Sequence, residues 1–183
     1  MSGPSRNRKL LPPPGRAVAQ AAAAKSAPSP ARAEQANHSL QLTILGTERH
    51  SDLPVRATLR RWIQRALRRD ARLVLVFVDT REGRRLNHRY RGRDYATNVL
   101  TFDYQARPQA IADIVLCMPV VRREARERGK TLRQHLAHLV VHGVLHAQGD
   151  DHETPSQARH MERREREILA RLRIPDPYED EVR

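Results

Sequence analysis

An α+β domain, a small mixed sheet covered by helices, is what this 183-residue sequence predicts. Three observations point to it. Apolar residues recur at every second position in some segments and at every third or fourth in others, so strands and helices are interspersed. The run RLVLVFV at 72–78 is rich in β-branched residues and suits a central strand. The length suits one domain whose core needs no disulfide staple, and no internal repeat is present.

Taken in order, residues 39–45 place Leu40, Leu42 and Ile44 in period two, a strand. Residues 55–69 put Val55, Leu59, Trp62, Ile63, Ala66 and Leu67 on one helical face with arginines opposite. The 72–78 strand follows, then a short helix over 80–90 and an extended segment over 98–104. Residues 111–118 form another strand, and Pro119 suits the first turn of a helix that ends near Gly129. Thr131 opens a longer helix through Leu136, Leu139, Val140 and Leu145 that stops at Gly149. After Pro155 comes a last helix carrying Met161, Ile168, Leu169 and Leu172.

Residues 1–38 stand apart from this domain, which occupies 39–183. They hold six of the 12 prolines, including Pro12, Pro13 and Pro14, and an alanine-rich run without hydrophobic periodicity. Such a segment cannot bury enough apolar surface to fold, so a disordered basic tail is expected. Its arginines, set against Glu34 alone, also suit an organellar transit peptide; a solubilising arm or an over-extended start fits equally.

Charge narrows the partners. Lys and Arg number 34 against 21 Asp and Glu, a net charge of +13, and the isoelectric point is near 11.2. That surface attracts polyanions, of which nucleic acid is the commonest, although an arginine-rich genome would give the same composition. The single Cys117 excludes an internal disulfide, and its apolar setting, IADIVLCM, fits a reducing cytoplasm. No apolar run approaches the roughly 20 residues of a membrane span, and no secretory leader is expected at the N-terminus.

The chemistry concentrates in HGVLHAQGDDH at 142–152. Residues four apart on a helix project side by side, so His142 and His146 can reach one ion. Gly149 can turn the chain back in a left-handed conformation, and His152 then returns a third nitrogen. Three neutral imidazoles leave the fourth position of a tetrahedral zinc open, as in catalytic sites. One zinc ion per chain is therefore expected, although imidazole also suits nickel, iron or manganese. The spacing is that of the metzincin signature H-E-x-x-H-x-x-G-x-x-H, but Gly143 replaces its glutamate base, which weighs against peptide hydrolysis. His138, one turn back, is an alternative partner for His142.

These residues also carry a family resemblance. HGVLHAQGDDH resembles the H-G-x-L-H-x-x-G-x-D-H signature of the YbeY endoribonuclease family. LNHRYRGRDYATNVLTF at 86–102 is similar to that family's L-N-x-x-Y-R-G-x-D-x-P-T-N-V-L-S-F, and ADIVLC at 112–117 to its G-D-I-x-I-C. Met161, Glu162, Glu165, Ile168 and Leu169 match the final helix, and Pro177 and Tyr178 the tail. Ala96, Thr101, Ala112 and Asp150 depart from the pattern, the last two leaving local loop geometry open. The resemblance covers about residues 40–180. It implies a zincin-like fold with the metal site on the long helix and following loop. It also implies a metal-dependent, single-strand-specific endoribonuclease that matures the 3′ end of 16S rRNA and serves ribosome quality control. Its metal ligands fall on His142, His146 and His152, and its functional arginine on Arg91. The implied partners are ribosomal RNA, the small ribosomal subunit and its proteins, and an assembly GTPase.

In phosphodiester cleavage, negative charge develops on the phosphate oxygens, which a Lewis-acid metal and a guanidinium can hold. His142 with its ion and Arg91 as a phosphate clamp are the expected catalytic groups. The general base is unassigned. Asp151 is a candidate for orienting an imidazole, Asn98 and Thr97 for positioning substrate or serving a turn. Met161 is expected in the core, with a place beneath the metal as the alternative, and His138 in helix packing or the cleft wall. A metallopeptidase or other metallohydrolase of non-RNA substrates, and a ribosome-assembly factor with a structural metal, are the competing readings.

Overall fold

The computed structural model describes residues 38–179, so the disorder expected for the N-terminal tail falls, His38 apart, outside the described residues. The elements run β1 (Leu40–Leu45), a 3-10 turn (Thr47–Arg49), α1 (Arg56–Ala66), β2 (Ala71–Val78), α2 (Thr80–Arg91), β3 (Val99–Gln105), β4 (Ala110–Cys117), α3 (Met118–Glu127), α4 (Leu132–Ala147) and α5 (Pro155–Arg171). The four strands make one sheet in the order β1-β2-β4-β3. β1, β2 and β4 are parallel, and β3 closes the β4 edge antiparallel. The α+β class and the mixed sheet expected from the sequence are both present.

Period two in the strands sorts their side chains. Leu40, Leu42, Leu73, Leu75, Phe77, Ile114 and Leu116 share one core with Leu59, Trp62 and Ile63 of α1 and Leu136, Val140 and Leu145 of α4. Each such side chain, fully buried, contributes about 1.5–3 kcal/mol relative to exposure. A smaller cluster, Val78, Leu100, Val115, Cys117 and Val120, packs with Leu86 of α2. α4 is buried nearly all round, which explains why its apolar residues cover more than one stripe.

Helix ends follow the local chemistry. Thr131 and Gln134 form a capping box at the start of α4, and Thr154 and Gln157 another at the start of α5, where Pro155 takes the first helical position. α1 stops at Ala66, three residues short of the amphipathic pattern, and the reason is tertiary. The buried Gln148 side chain donates to Ala66 O (2.9 Å) and accepts from Arg68 N (2.7 Å), giving the helix end partners that a further turn would have supplied. β1 is an edge strand, and Arg56 and Arg60 cover its outward carbonyls at Leu42 (2.6 Å) and Leu40 (3.2 Å). Among the described residues no helix is long and apolar enough to cross a membrane.

Candidate metal centre

The site is built on the last turn of α4. His142 and His146 lie one turn apart, and their Nε2 atoms are 3.1 Å from each other. Gly143, between them, is buried against the sheet. A Cβ there would lie 2.7 Å from Ile114 Cγ2 and 3.2 Å from Thr101 Oγ1, so a side chain at this position has no room. The glycine is thus a packing requirement: this side of α4 is pressed onto β3 and β4.

The turn that returns His152 ends α4 as a Schellman motif. Gly149, at φ +89°, donates to His146 O (2.9 Å) and Asp150 donates to Leu145 O (3.1 Å). Cations left over at the end of α1 hold this turn. Arg69 donates to the carbonyls of Ala106 (2.9 Å) and Gln148 (2.8 Å). Asp150 accepts from Arg68 at 2.7 Å and faces Arg164 at 3.4 Å. Asp150, the departure that left the loop uncertain, is therefore what ties it to α1 and α5. His152 follows, with its ring centroid 5.6 Å from that of His142 and 4.9 Å from that of His146.

One nitrogen from each of the three histidines lies within 4.8 Å of the others. Zinc–nitrogen bonds of 2.0–2.1 Å in a tetrahedron separate ligand nitrogens by about 3.4 Å, close to the 3.1 Å of the His142–His146 pair. Burial first, then the neighbouring His142 and His152, push the His146 imidazole down to about 4, so it is neutral with a lone pair at neutral pH. The donor set therefore fits a zinc ion. His138, His142 and Glu165 form a second possible group. There the Glu165 oxygens already face His142, His138 and Tyr178, which makes that carboxylate a hydrogen-bond hub under the first site.

Glu165, on α5, has a fully buried side chain. Its Oε1 lies 2.8 Å from His142 Nδ1, and its Oε2 lies 3.2 Å from His138 Nε2 and accepts from the Tyr178 hydroxyl. Burial pushes this carboxyl up, but the hydrogen bonds from His138 and His142 outweigh it and bring it to about 2. Burial and the adjacent Glu165 raise the Tyr178 phenol, keeping it a donor. Beside these groups opens a cavity of about 170 Å³ lined by His142, His152, Met161, Glu165 and Tyr178.

The remaining expected residues sort as follows. Met161 is 2% exposed and serves both the core and the cavity wall. His138 belongs to the polar network behind His142. Asp151 accepts from the His152 backbone N–H (2.7 Å), and its charge acts on the His146 imidazole, favouring its protonated form against the burial that lowers it. Asn98 donates to Glu124 (2.9 Å), which also holds His135 at 2.9 Å, so Asn98 joins β3 to α3 and α4. Thr97 makes only a 3.4 Å contact with Asn98. Arg91 is the last residue of α2, exposed, before the left-handed Gly92. It does not line the cavity, and no hydrogen bond joins it to the three histidines among the described residues. Glu165 and Tyr178 match family motifs that give them no role, Gln148 carries no signal in the sequence, and Arg68 and Arg69 show there only as arginines opposite an apolar face. The signal for Glu165 was an acid at the position where an amphipathic helix places Met161, Ile168 and Leu169.

A family model described as Endoribonuclease YbeY matches residues 32–173. The Endoribonuclease YbeY of Ralstonia nicotianae is 52% identical over 165 residues, 82% of this chain and 88% of that protein. That of Delftia acidovorans is 57% identical over 130 residues, 70% of this chain and 86% of that protein. A solution structure of a Thermotoga maritima protein, 25% identical, covers 73% of this chain and 92% of its own, with a TM-score of 0.48.

Proposed function

The chain belongs to the endoribonuclease YbeY family, and from that premise we propose that it cleaves single-stranded RNA with one zinc ion held by His142, His146 and His152. The observation that carries this reading is the convergence of three imidazole nitrogens beside a cavity, on a helix that leaves no room for a peptidase base at Gly143. His142, His146 and His152 would hold a divalent ion, which would supply Lewis acidity there. The chain's own groups do the rest. Glu165 holds the His142 ring, and the pinned turn at 148–152 presents His152. Arg91, exposed with five donors in a planar fork, binds a phosphate as the strand passes the site.

The net charge of +13 favours a polyanionic substrate. The proposed substrate is precursor ribosomal RNA, at the 3′ end of the 16S molecule, acted on in the cytoplasm on the small subunit. Small-subunit proteins and an assembly GTPase are the proposed protein partners. Cleavage of precursor rRNA and bound metal are measured together for the purified chain and for His146→Ala. Losing a ligand should cost more than the roughly 10–100-fold typical of an outer-shell partner. Metal-free protein that cleaves as fast as the loaded protein overturns the assignment. An Arg91→Ala protein with unchanged kcat/KM removes the phosphate clamp.

A further inference from the structure

We infer that Glu165, backed by Tyr178 and His138, is a positioning residue that holds the proton of His142 on Nδ1 and so leaves Nε2 bare toward His146 and His152. This rests on the metal reading above but concerns a property of the chain itself. Three groups able to donate surround the fully buried Glu165 side chain, the His142 and His138 rings and the Tyr178 hydroxyl, and a carboxylate so surrounded accepts from each of them. His142 Nδ1, 2.8 Å from Oε1, must therefore carry hydrogen. A neutral imidazole has one such proton, and the nitrogen left without it is Nε2, the atom 3.1 Å from His146 Nε2. The orientation that makes His142 a ligand is thus set from behind, by a side chain outside the three-histidine set.

The other carboxylate oxygen is fixed in turn. Oε2 accepts from the Tyr178 hydroxyl and faces His138 Nε2 at 3.2 Å, while His138 Nε2 and the Tyr178 hydroxyl are 3.3 Å apart. Rotation of the Glu165 carboxyl away from His142 would break these contacts as well. Tyr178 is held in place by Asp176, which accepts its backbone N–H at 2.9 Å, and by the Arg166 guanidinium, 4.8 Å over its ring. Arg166 also pairs with Asp176 at 3.1 Å, and Lys130 donates to Pro177 O. The segment after α5 therefore belongs to the centre: it locks the carboxylate that locks the histidine.

The test uses the full chain with zinc alone as probe, in competition with a chromophoric chelator. It is paired with long-range proton–nitrogen NMR of the imidazoles in the metal-free protein. The unaltered chain should show neutral His142 protonated on Nδ1. Glu165→Gln should weaken zinc binding by about 10–100-fold, the usual effect of losing a carboxylate behind a ligating histidine. Tyr178→Phe, which keeps the ring and removes the hydroxyl, should weaken it by a smaller factor. Ile63→Val, in the α1 core, reports on general loosening and should leave affinity within about twofold of the unaltered chain. A neutral His142 that carries its proton on Nε2 instead of Nδ1 in the metal-free unaltered chain overturns the inference, and needs no variant to fold. So does an equal loss of affinity in Ile63→Val, or unchanged affinity in both Glu165→Gln and Tyr178→Phe. Failure of the unaltered chain to bind zinc sinks the metal reading instead, and the His142 tautomer still decides the present point.

Discussion

Gly143 offers the sharpest test of how α4 meets the sheet. An alanine there gains about 0.8–1.0 kcal/mol of helix propensity over glycine. Against this, its Cβ would lie 2.7 Å from Ile114 Cγ2, a methyl fixed directly on a branched Cβ, and 3.2 Å from Thr101 Oγ1. Overpacking of this kind costs roughly 1–3 kcal/mol, so Gly143→Ala should be net destabilising by about 1 kcal/mol. Helix propensity acting alone would make it stabilising by about the same amount, and the two outcomes are about 2 kcal/mol apart. Urea unfolding followed by the fluorescence of Trp62, the single tryptophan and fully buried, separates them. With a slope of about 1–3 kcal/mol/M, the midpoint should fall by roughly 0.3–1 M.

The reasoning also predicts a reversal. In an Ile114→Ala background the obstructing methyl is gone, and Gly143→Ala should become stabilising by about 1 kcal/mol. Gly143→Glu, which restores the metzincin residue, drives a carboxylate into the same apolar contact at a cost of several kcal/mol; it should yield an unfolded or badly destabilised protein with no peptidase activity. A Gly143→Ala protein more stable than the unaltered chain, or a folded Gly143→Glu protein of normal stability, refutes the close approach.

Three further outcomes follow from other contacts. Hydrogen bonds hold Glu124 below the usual carboxylate range: burial raises it, and the bonds from His135 and Asn98 outweigh that. A depressed folded value means its stabilisation is present above the unfolded carboxylate range near 4.3 and is lost as pH falls through the lower value. Glu124→Gln should therefore be destabilised by about 1–3 kcal/mol at pH 7, with the gap closing as pH falls through that lowered value; a gap independent of pH would refute the charge's role. Asp150→Ala leaves Arg68 and Arg164 without their shared carboxylate. It should weaken zinc binding and speed amide exchange at 149–153, and unchanged exchange there would show that the ion pairs do not hold the turn. Arg56→Met with Arg60→Met uncovers the β1 carbonyls and should promote self-association in light scattering, whereas a double variant that stays monomeric at high concentration argues against an edge-protecting role.

What the sequence revealed and what it hid divide along the range of the interactions. Strand period, the turn at Gly149 and the i, i+4 pair His142–His146 are local, so each element and the metal constellation were legible within a few residues of chain. Gly143 was legible as an absence but not as a contact, because Ile114 and Thr101, which forbid its side chain, lie on two strands far away in sequence. The arginines after α1 had the period of a solvated face, yet Arg68 and Arg69 spend their donors on the turn some 80 positions later, a pairing no pattern announces. Glu165 is the instructive case. Its position on the apolar stripe of α5 marked it as an acid destined for burial, and a buried carboxylate requires donors. The sequence carried the signal for burial but assigned Glu165 no role; only packing decides that His142, His138 and Tyr178 are its partners.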